Sequence, residues 1–439
     1  MSFLNSIIIF LTIMIFIYMY NECSVIFPLL IPFLLNVIIN IISCAYIEEG
    51  IYVADINKYS YMTGSTIRLA LLNYVFLFTV IFLYKINKQK ILRIKKCIIN
   101  ENTNYIALSV ITIFTLYLIV DILISGSIIS NSNINRFNYY SDYSTLPLIS
   151  LVSSLRYSFS FLSGLVFIST YRRKYKFWSC ICVLGLIISW YLVGNQFTGI
   201  LYVVIYFFMP ILILLLKSRV KLINFKNVLI VIIIVCVALL PKLSYFQNNG
   251  IYGLNNSNYN SAFSLLLYRA FGLQSALWWE IDRQVFVEGF RDFSQISNEL
   301  LSLFSSSNQY DTGIYYLMEK GMPQSEFIRY IQGNGTLCAG HPGIEIVTLG
   351  YIGAAIMMIF EAVLFFFLIK KITICVLNKE YFSCFIYVTL LYEGMKVFTV
   401  GGFLWLGNTI PKLCILYLLF KSIFKIKFKI RLPIFKFKN

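Results

Sequence analysis

The chain contains one apolar segment after another, and most of these segments are about 17–23 residues long. An α-helix of that length can cross about 30 Å of hydrocarbon. The composition agrees, because 59% of the 439 residues are hydrophobic and 13% are charged, whereas soluble domains carry about 25% charged residues. The first segment, 3–20, has no basic leader and no cleavage site, so we expect a retained helix. The sequence therefore predicts an all-α polytopic membrane protein.

The net charge of +17 comes mainly from short loops between the apolar segments. Short basic loops stay on the cytoplasmic side and attract anionic headgroups, so these charges indicate topology and argue against nucleic-acid binding. We expect about eleven transmembrane helices (10–12), a cytoplasmic tail at 421–439 and a bacterial inner-membrane location. An odd count places Met1 outside, and one further helix before residue 100 would place it inside. The expected spans cover residues 3–20, 25–46, 66–84, 104–125, 148–170, 178–194, 198–216, 228–245, 346–369, 382–400 and 402–420.

One long polar stretch, 246–345, divides the chain into an N-terminal bundle (1–245) and a C-terminal group of about three helices (346–420). The stretch is too long for a simple connection. Its many aromatic residues also argue against disorder. Two runs, 261–286 and 296–304, have helical character. We expect a folded cap, with short helices, on the outer membrane surface.

Motifs for soluble substrates are absent from the sequence. There is no phosphate-binding loop, no dinucleotide fingerprint and no Asp-x-Asp pair for a metal-bound sugar nucleotide. The chain has a single histidine, His341, which excludes a multi-histidine metal site. We therefore expect no metal and no cofactor, and chemistry carried by carboxylates, arginines, tyrosines and His341.

Arg269, Glu280 and Arg283 lie in the polar stretch, spaced by 11 and 3 residues. On one continuous helix they would fall within roughly 60° of one another. Two guanidinium groups on one face could hold a pyrophosphate through bidentate hydrogen bonds, although an Arg–Glu pair that ties a surface helix to its neighbour explains the same pattern. Gly272 could also break the helix. Trp279 could stack on a sugar ring, or serve with Trp278 as an interfacial anchor.

Arg156 lies inside an apolar segment, about two turns below its outer end. An arginine in such a position is costly and usually faces a cavity or a partner. It could bind an anionic headgroup or extend towards the surface. In the last helices, Glu361, Glu393 and Lys396 are also ionisable, and the spacing of the last two predicts an ion pair.

His341 lies in a Gly/Pro-rich turn where the polar stretch meets the next apolar segment, with Glu345 four residues later. A histidine titrates near neutral pH and could accept a proton from a sugar hydroxyl. The flanking glycines would let a ligand approach the backbone. A lone histidine can equally be a packing or capping residue.

These features together resemble the Wzy-type O-antigen polymerases. The resemblance covers the layout of many helices with a large outer loop before the last few. It also covers two short stretches, the run Gly340-His-Pro-Gly-Ile-Glu-Ile-Val-Thr-Leu-Gly-Tyr-Ile-Gly353 and the segment Gly194-Asn-Gln-Phe-Thr198, which is followed by an apolar helix containing Pro210.

The resemblance implies a GT-C-like helical fold and a glycosyltransferase of the periplasmic face that works without a metal. It would join oligosaccharide repeat units carried on undecaprenyl pyrophosphate, and a chain-length regulator protein would be a further partner. Arg269, Arg283 and Arg156 would contact the pyrophosphate, and His341 or Glu280 would be the base.

Two other functions fit the same composition. A lipid-linked oligosaccharide flippase is one, although the long polar stretch argues against it. An O-antigen ligase is the other, and it shares both architecture and donor. An accessory structural membrane protein would not require arginines and a histidine in the outer loop.

Overall fold

The fold is described from a computed structural model of the protein. The described residues are 2–94, 101–128, 139–194, 198–217, 268–304, 311–333, 335–337, 341–401 and 408–424. Most of them lie in α-helices. The helices are α1 (Phe3–Glu22), α2 (Phe27–Ile47), α3 (Ser65–Leu92), α4 (Glu101–Ser125), α5 (Ile149–Ser154), α6 (Arg156–Ser169), α7 (Arg173–Leu192), α8 (Thr198–Lys217), α9 (Ala276–Val287), α10 (Gln295–Ser302), α11 (Gly313–Gly321), α12 (Gln324–Gln332), α13 (Gly343–Asn378), α14 (Tyr381–Val400) and α15 (Thr409–Phe424).

Seven of the described helices are long and apolar enough to cross a membrane, namely α1, α2, α3, α4, α7, α8 and α13. The chain is therefore predominantly α-helical and has the long apolar helices of a membrane protein. Ten of the eleven expected spans overlap described helices, and the remaining one, 228–245, lies outside the described residues. The exact number of spans stays a prediction.

The expected span 148–170 is two helices, α5 and α6, which meet at Leu155. The hydroxyl groups of Ser153 and Ser154 donate to carbonyl oxygens three residues earlier, at 2.9 and 2.8 Å. Such local hydrogen bonds compete with the helical pattern. They explain why α5 ends here, directly before Arg156.

Contacts between neighbouring helices define two ends of the bundle. At one end, which we call the cap end, Asn5 of α1 donates to Glu48 just after α2 at 3.2 Å. At the other, the basic end, Lys88 of α3 pairs with Glu22 of α1 at 3.4 Å and Lys370 of α13 donates to Asn87 at 2.8 Å. Helix α2 therefore runs antiparallel to α1 and α3, and the start of α1 lies at the cap end.

The cap end carries a layer of short elements. Strands β1 (Tyr52–Val53) and β2 (Lys58–Tyr59) form an antiparallel hairpin between α2 and α3. Helix α9 packs on this hairpin and on the ends of α2, α3 and α13, with Ser275 donating to the Asn40 carbonyl at 2.8 Å. The described part of the polar stretch therefore forms short helices, among which α9 packs on the bundle.

The expected helix 261–286 is not continuous. A π-helical turn, Tyr268–Gly272, is followed by three non-helical residues before α9 begins at Ala276, and 261–267 lie outside the described residues. The backbone leaves the helix at Gly272, whose carbonyl accepts from Ser43 of α2 at 3.3 Å. The second expected helix, 296–304, is confirmed by α10.

Helix α13 is broken at Gly350, where φ is 71° and ψ is 177°. This backbone conformation is essentially restricted to glycine. The break frees the Val347 carbonyl from its helical partner, and the backbone N–H of Asp292 in the cap donates to it at 3.1 Å. On the other side of the break, the Tyr351 hydroxyl donates to Asp282 of α9 at 2.8 Å. The cap therefore holds both arms of the broken helix.

Phenylalanine rings fix the position of α14 against α2, α3 and α13. Phe398 of α14 packs edge-on against Phe33, Phe76 and Phe365, with ring centroids 5.1–5.5 Å apart. Each of these four rings is buried. Edge-to-face pairs of this kind contribute about 0.5–1.5 kcal/mol beyond their buried area. These four rings form the apolar surface against which His341 packs, through Phe398.

Candidate functional site

The break at Gly350 brings together two acidic residues that are far apart in the sequence. On an uninterrupted helix, the 16 residues from Glu345 to Glu361 would span about 24 Å. In the structure, ligand atoms of His341, Glu345 and Glu361 all lie within 4.8 Å of one another. The segment before Gly350 must therefore fold back along the segment after it. We call these three residues the Glu–His–Glu cluster.

His341 lies between the two carboxylates. Its Nδ1 is 3.2 Å from Glu345 Oε1 and its Nε2 is 2.6 Å from Glu361 Oε2. Its backbone N–H donates to the Phe398 carbonyl at 3.2 Å, and its ring packs edge-on against the Phe398 ring. All three members of the cluster are buried, with 4–8% of each residue exposed. Each imidazole nitrogen therefore lies within ion-pair distance of a carboxylate oxygen, but neither has a hydrogen-bond partner among the described residues.

The two carboxylates of the cluster shift the pKa of His341. Burial lowers the pKa of this imidazole, but the negative charges of Glu361 and Glu345 outweigh burial and raise the pKa to about 10. At neutral pH in this arrangement the ring carries its proton, so it is not set up to accept another one. The predicted role of His341 as a base stays a prediction, without support from this geometry.

Arg156 forms a second candidate site. It is fully buried, and its Nη2 donates to the Tyr140 hydroxyl. The guanidinium carbon lies 4.2 Å from the Trp190 ring centroid and 4.9 Å from that of Tyr140. We call the group formed by these three side chains and Tyr157, whose ring stacks on that of Trp190, the Arg156 chamber.

Several hydrogen-bond donors in the Arg156 chamber have no acceptor. Among the described residues, Arg156 Nε, Arg156 Nη1 and Trp190 Nε1 are buried without a hydrogen-bond partner. The nearby acid Asp121 instead accepts from the hydroxyl of Ser144 at 2.6 Å and from the backbone of Leu146 at 3.3 Å. A buried guanidinium without a counter-charge costs several kcal/mol. The chamber is therefore suited to an anionic, acceptor-rich ligand.

Glu280 holds the cap to the hairpin. Its carboxylate accepts from Lys58 of β2 at 2.7 Å, from Arg283 at 2.8 and 2.9 Å, and from Gln284 at 3.0 Å. Burial raises the pKa of Glu280, but the hydrogen bonds from Arg283 and Lys58 outweigh it and lower the pKa below its usual range. A carboxylate stabilised in this way is a weak base. The predicted catalytic role of Glu280 therefore gains no support here.

The other cap residues that the sequence predicted as site residues lie in different places. Arg283 also pairs with Glu288 at 2.6 Å. Arg269 lies exposed on the π-helical turn, off helix α9, so the expected shared face with Glu280 and Arg283 does not form. Trp279 is buried in the cluster with the hairpin, and its indole N–H donates to the Tyr61 carbonyl at 3.2 Å. Its ring is covered by protein and is not presented to a sugar.

Helix α14 separates the Glu–His–Glu cluster from the Arg156 chamber. The hydroxyl groups of Ser158 and Thr389 lie 2.8 Å apart, and the Tyr157 and Tyr392 rings are in contact. Thr389 precedes Phe398 by nine residues, which places the two about 180° apart on a helix. The His341 turn and Arg156 therefore lie against different faces of α14.

Sequence reasoning missed two members of these sites. Glu361 was noted only as an acid in the last helices, although an acid inside an apolar span is itself a signal of function. Trp190 gave no signal, because an aromatic residue near a helix end is common at a membrane interface. The predicted ion pair between Glu393 and Lys396 is confirmed at 2.8 Å.

Comparisons with known proteins give one match. Residues 307–409 match the model of a family of unknown function, DUF6418. No curated protein and no solved structure matches the chain. The matched segment contains the whole Glu–His–Glu cluster and Phe398, and it covers about a quarter of the protein.

Proposed function

We propose that this protein is a glycosyltransferase that polymerises oligosaccharide repeat units carried on undecaprenyl pyrophosphate, at the outer face of a bacterial inner membrane. The observation that carries the proposal is the Arg156 chamber, where buried donors of Arg156 and Trp190 lack acceptors among the described residues. A pyrophosphate would supply both the charge and the oxygen atoms. About eleven spans and a GT-C-like arrangement belong to the same proposal.

An apolar cleft supports a lipid-linked substrate. It lies between α7 and α8 and is lined by apolar side chains and one cysteine, among them Val183, Ile187 and Phe207. Ile187 is three residues before Trp190 on α7, so the cleft begins about one turn from the Arg156 chamber. A polyprenyl chain in the cleft would leave its pyrophosphate beside Arg156.

The main chemical requirement of the transfer is stabilisation of the charge on the leaving group. When the glycan is transferred, the pyrophosphate departs with increased negative charge, and a buried guanidinium stabilises that charge strongly because water is excluded. In this proposal Arg156 is the principal pyrophosphate contact. Roles for Arg269, Arg283, Trp279, Glu280, His341 and Glu345 in binding or proton transfer stay predictions.

The overall function is tested by deleting the gene and examining lipopolysaccharide on gels. Lipid A-core carrying a single repeat unit supports a polymerase. Core alone, with accumulated lipid-linked polymer, would identify a ligase. Core alone, with lipid-linked single units on the cytoplasmic side, would identify a flippase.

The role of Arg156 is tested by Arg156→Met, which keeps an apolar stem of similar length. We expect long glycan chains to fall by about 100-fold, as for the loss of a strong transition-state donor. We also expect an unchanged or higher thermal midpoint, because the variant removes a buried charge that lacks a partner. Arg329→Ala, at an exposed arginine paired with Glu326 at 2.5 Å, is the control and should retain normal chain lengths.

The two measurements separate a ligand-binding role from a structural one. Normal chain lengths in Arg156→Met would contradict the assignment. So would a clear fall in the thermal midpoint accompanied by loss of the protein from membranes, because Arg156 would then be needed for folding.

A further inference from the structure

We propose that the Glu–His–Glu cluster binds a divalent first-row transition-metal cation such as Zn²⁺ or Mn²⁺, through one imidazole nitrogen and one carboxylate oxygen from each glutamate. The site is independent of the proposed polymerase activity. From the single histidine in the sequence we expected no metal site. One histidine is nevertheless sufficient when two carboxylates provide the other ligands.

The geometry suits a small cation. Ligand atoms around an ion at about 2.1 Å are separated by about 3–4 Å, and the three candidate ligand atoms already lie within 4.8 Å of one another. Rotation of the glutamate side chains would close the remaining difference. One imidazole with two carboxylates is a ligand set that fits Zn²⁺ or Mn²⁺, whereas Mg²⁺ prefers oxygen ligands and bound water.

Unpartnered atoms provide a second, independent observation. Among the described residues, Glu345 Oε2 and Glu361 Oε1 are buried without a hydrogen-bond partner. Both belong to side chains that are more than nine-tenths buried and that converge on His341. Buried carboxylate oxygens normally have partners. A bound cation would satisfy them.

Charge balance supports the same conclusion. A bound cation would displace the proton of the imidazole, and two carboxylates with a neutral imidazole carry a charge of about −2, which a divalent ion cancels in a low-dielectric site. Two other buried acids in the described part of the chain each have a cationic partner. Asp282 has Arg68 at 2.5 Å and Glu393 has Lys396 at 2.8 Å, whereas the salt bridges of Glu345 and Glu361 within the described residues are with His341 alone.

A cation here would join three backbone segments. His341 precedes α13, Glu345 lies before the break at Gly350, and Glu361 lies after it. Metal binding free energy contributes to folding when the ligands come from separate parts of a chain. We therefore expect the ion to stabilise the folded-back conformation of α13.

The test uses the full chain, purified in lipid nanodiscs and treated with a chelator. Titration calorimetry with Zn²⁺, and electron paramagnetic resonance with Mn²⁺, should each show about one bound ion per chain. Glu361→Gln should weaken binding by at least 10-fold, and His341→Ala should do the same. Glu393→Gln removes another buried glutamate of the last helices, one that has its own lysine, and should bind the ion as the wild type does.

Thermal unfolding provides a readout that does not depend on enzyme activity. Saturating Zn²⁺ should raise the midpoint of the wild type and of Glu393→Gln, and should leave that of Glu361→Gln unchanged. Mn²⁺ serves as the second probe because it has little affinity for the native cysteine thiols. Absence of binding by the wild type, or equal binding by Glu361→Gln, would overturn the proposal. Either result would leave the polymerase proposal untouched, since that proposal depends on Arg156.

Discussion

Gly350 has a conformation that other residues rarely adopt, and the Glu–His–Glu cluster depends on it. The nearest atoms to a Cβ at this position would be those of the Arg291 guanidinium, at 3.5 Å, which is an ordinary contact. The requirement for glycine is therefore torsional and not steric. A side chain at these angles costs on the order of 1–3 kcal/mol.

We expect Gly350→Ala to lower the thermal midpoint and to weaken Zn²⁺ binding, because the chain would favour a continuous helix that moves Glu345 away from Glu361. Gly394→Ala is the matched control, since a Cβ there has no neighbour within 4 Å in the described part of the chain. Alanine should stabilise that helix by up to about 1 kcal/mol. Equal behaviour of the two variants would mean that the break is not required.

Individual site residues were predictable where the signal was local. His341 and Glu345 are four residues apart, so helical spacing alone suggested that they meet. Arg156 stood out because a charge in an apolar segment is costly. Glu361 could not be linked to them from the sequence. It lies 16 residues after Glu345, and the two side chains meet only because the helix is broken at Gly350.

Among the elements, helix α9 carries the main attachment of the cap to the bundle. Asp282 is fully buried and accepts from Arg68 at 2.5 Å, from Ser65 at 2.6 Å and from Tyr351 at 2.8 Å. These partners belong to α3 and α13, so a single carboxylate joins three helices. The position of Glu361 on α13 depends on the same contacts.

We expect Asp282→Asn to destabilise the cap by about 3 kcal/mol, because it leaves Arg68 without its counter-charge in a mostly buried position. Hydrogen–deuterium exchange should rise over 276–332, and the thermal midpoint should fall. Glu319→Gln removes an exposed partner of Lys320, at 3.4 Å, and should change little. Unaltered exchange in Asp282→Asn would show that other contacts hold the cap.

Element boundaries in the bundle were largely predictable, because hydropathy and turn signals coincide there. The expected span 198–216 is the helix Thr198–Lys217, and 382–400 is Tyr381–Val400. Predictions failed where helical character continues but local or tertiary contacts interrupt it. The hydroxyl groups of Ser153 and Ser154 end α5, and the Ser43 contact holds the chain where it leaves the π-helical turn.

For the whole molecule, the two ends of the bundle differ in chemistry. The cap end carries acids that hold short helices and a hairpin, whereas the basic end carries lysines and arginines in its loops. Positive charges flanking apolar helices favour the cytoplasm. We therefore expect the cap to face away from the cytoplasm.

Two exposed tyrosines test this orientation. Tyr59 on the hairpin is 71% exposed at the cap end, and Tyr171 between α6 and α7 is 87% exposed at the basic end. In spheroplasts, a membrane-impermeant maleimide should label Tyr59→Cys beyond the wild-type background and should label Tyr171→Cys only after permeabilisation. The opposite pattern would reverse the topology.

The hydrogen bond from Asp292 to the Val347 carbonyl has a consequence for how the chain folds. Breaking a helix inside a membrane protein leaves backbone groups without partners, and water is scarce there to replace them. The cap supplies the missing donor. Although hydropathy separates the polar stretch from the helices that follow it, the two form one cooperative unit. Neither the polar stretch nor helix α13 can complete its hydrogen bonds before the other has folded.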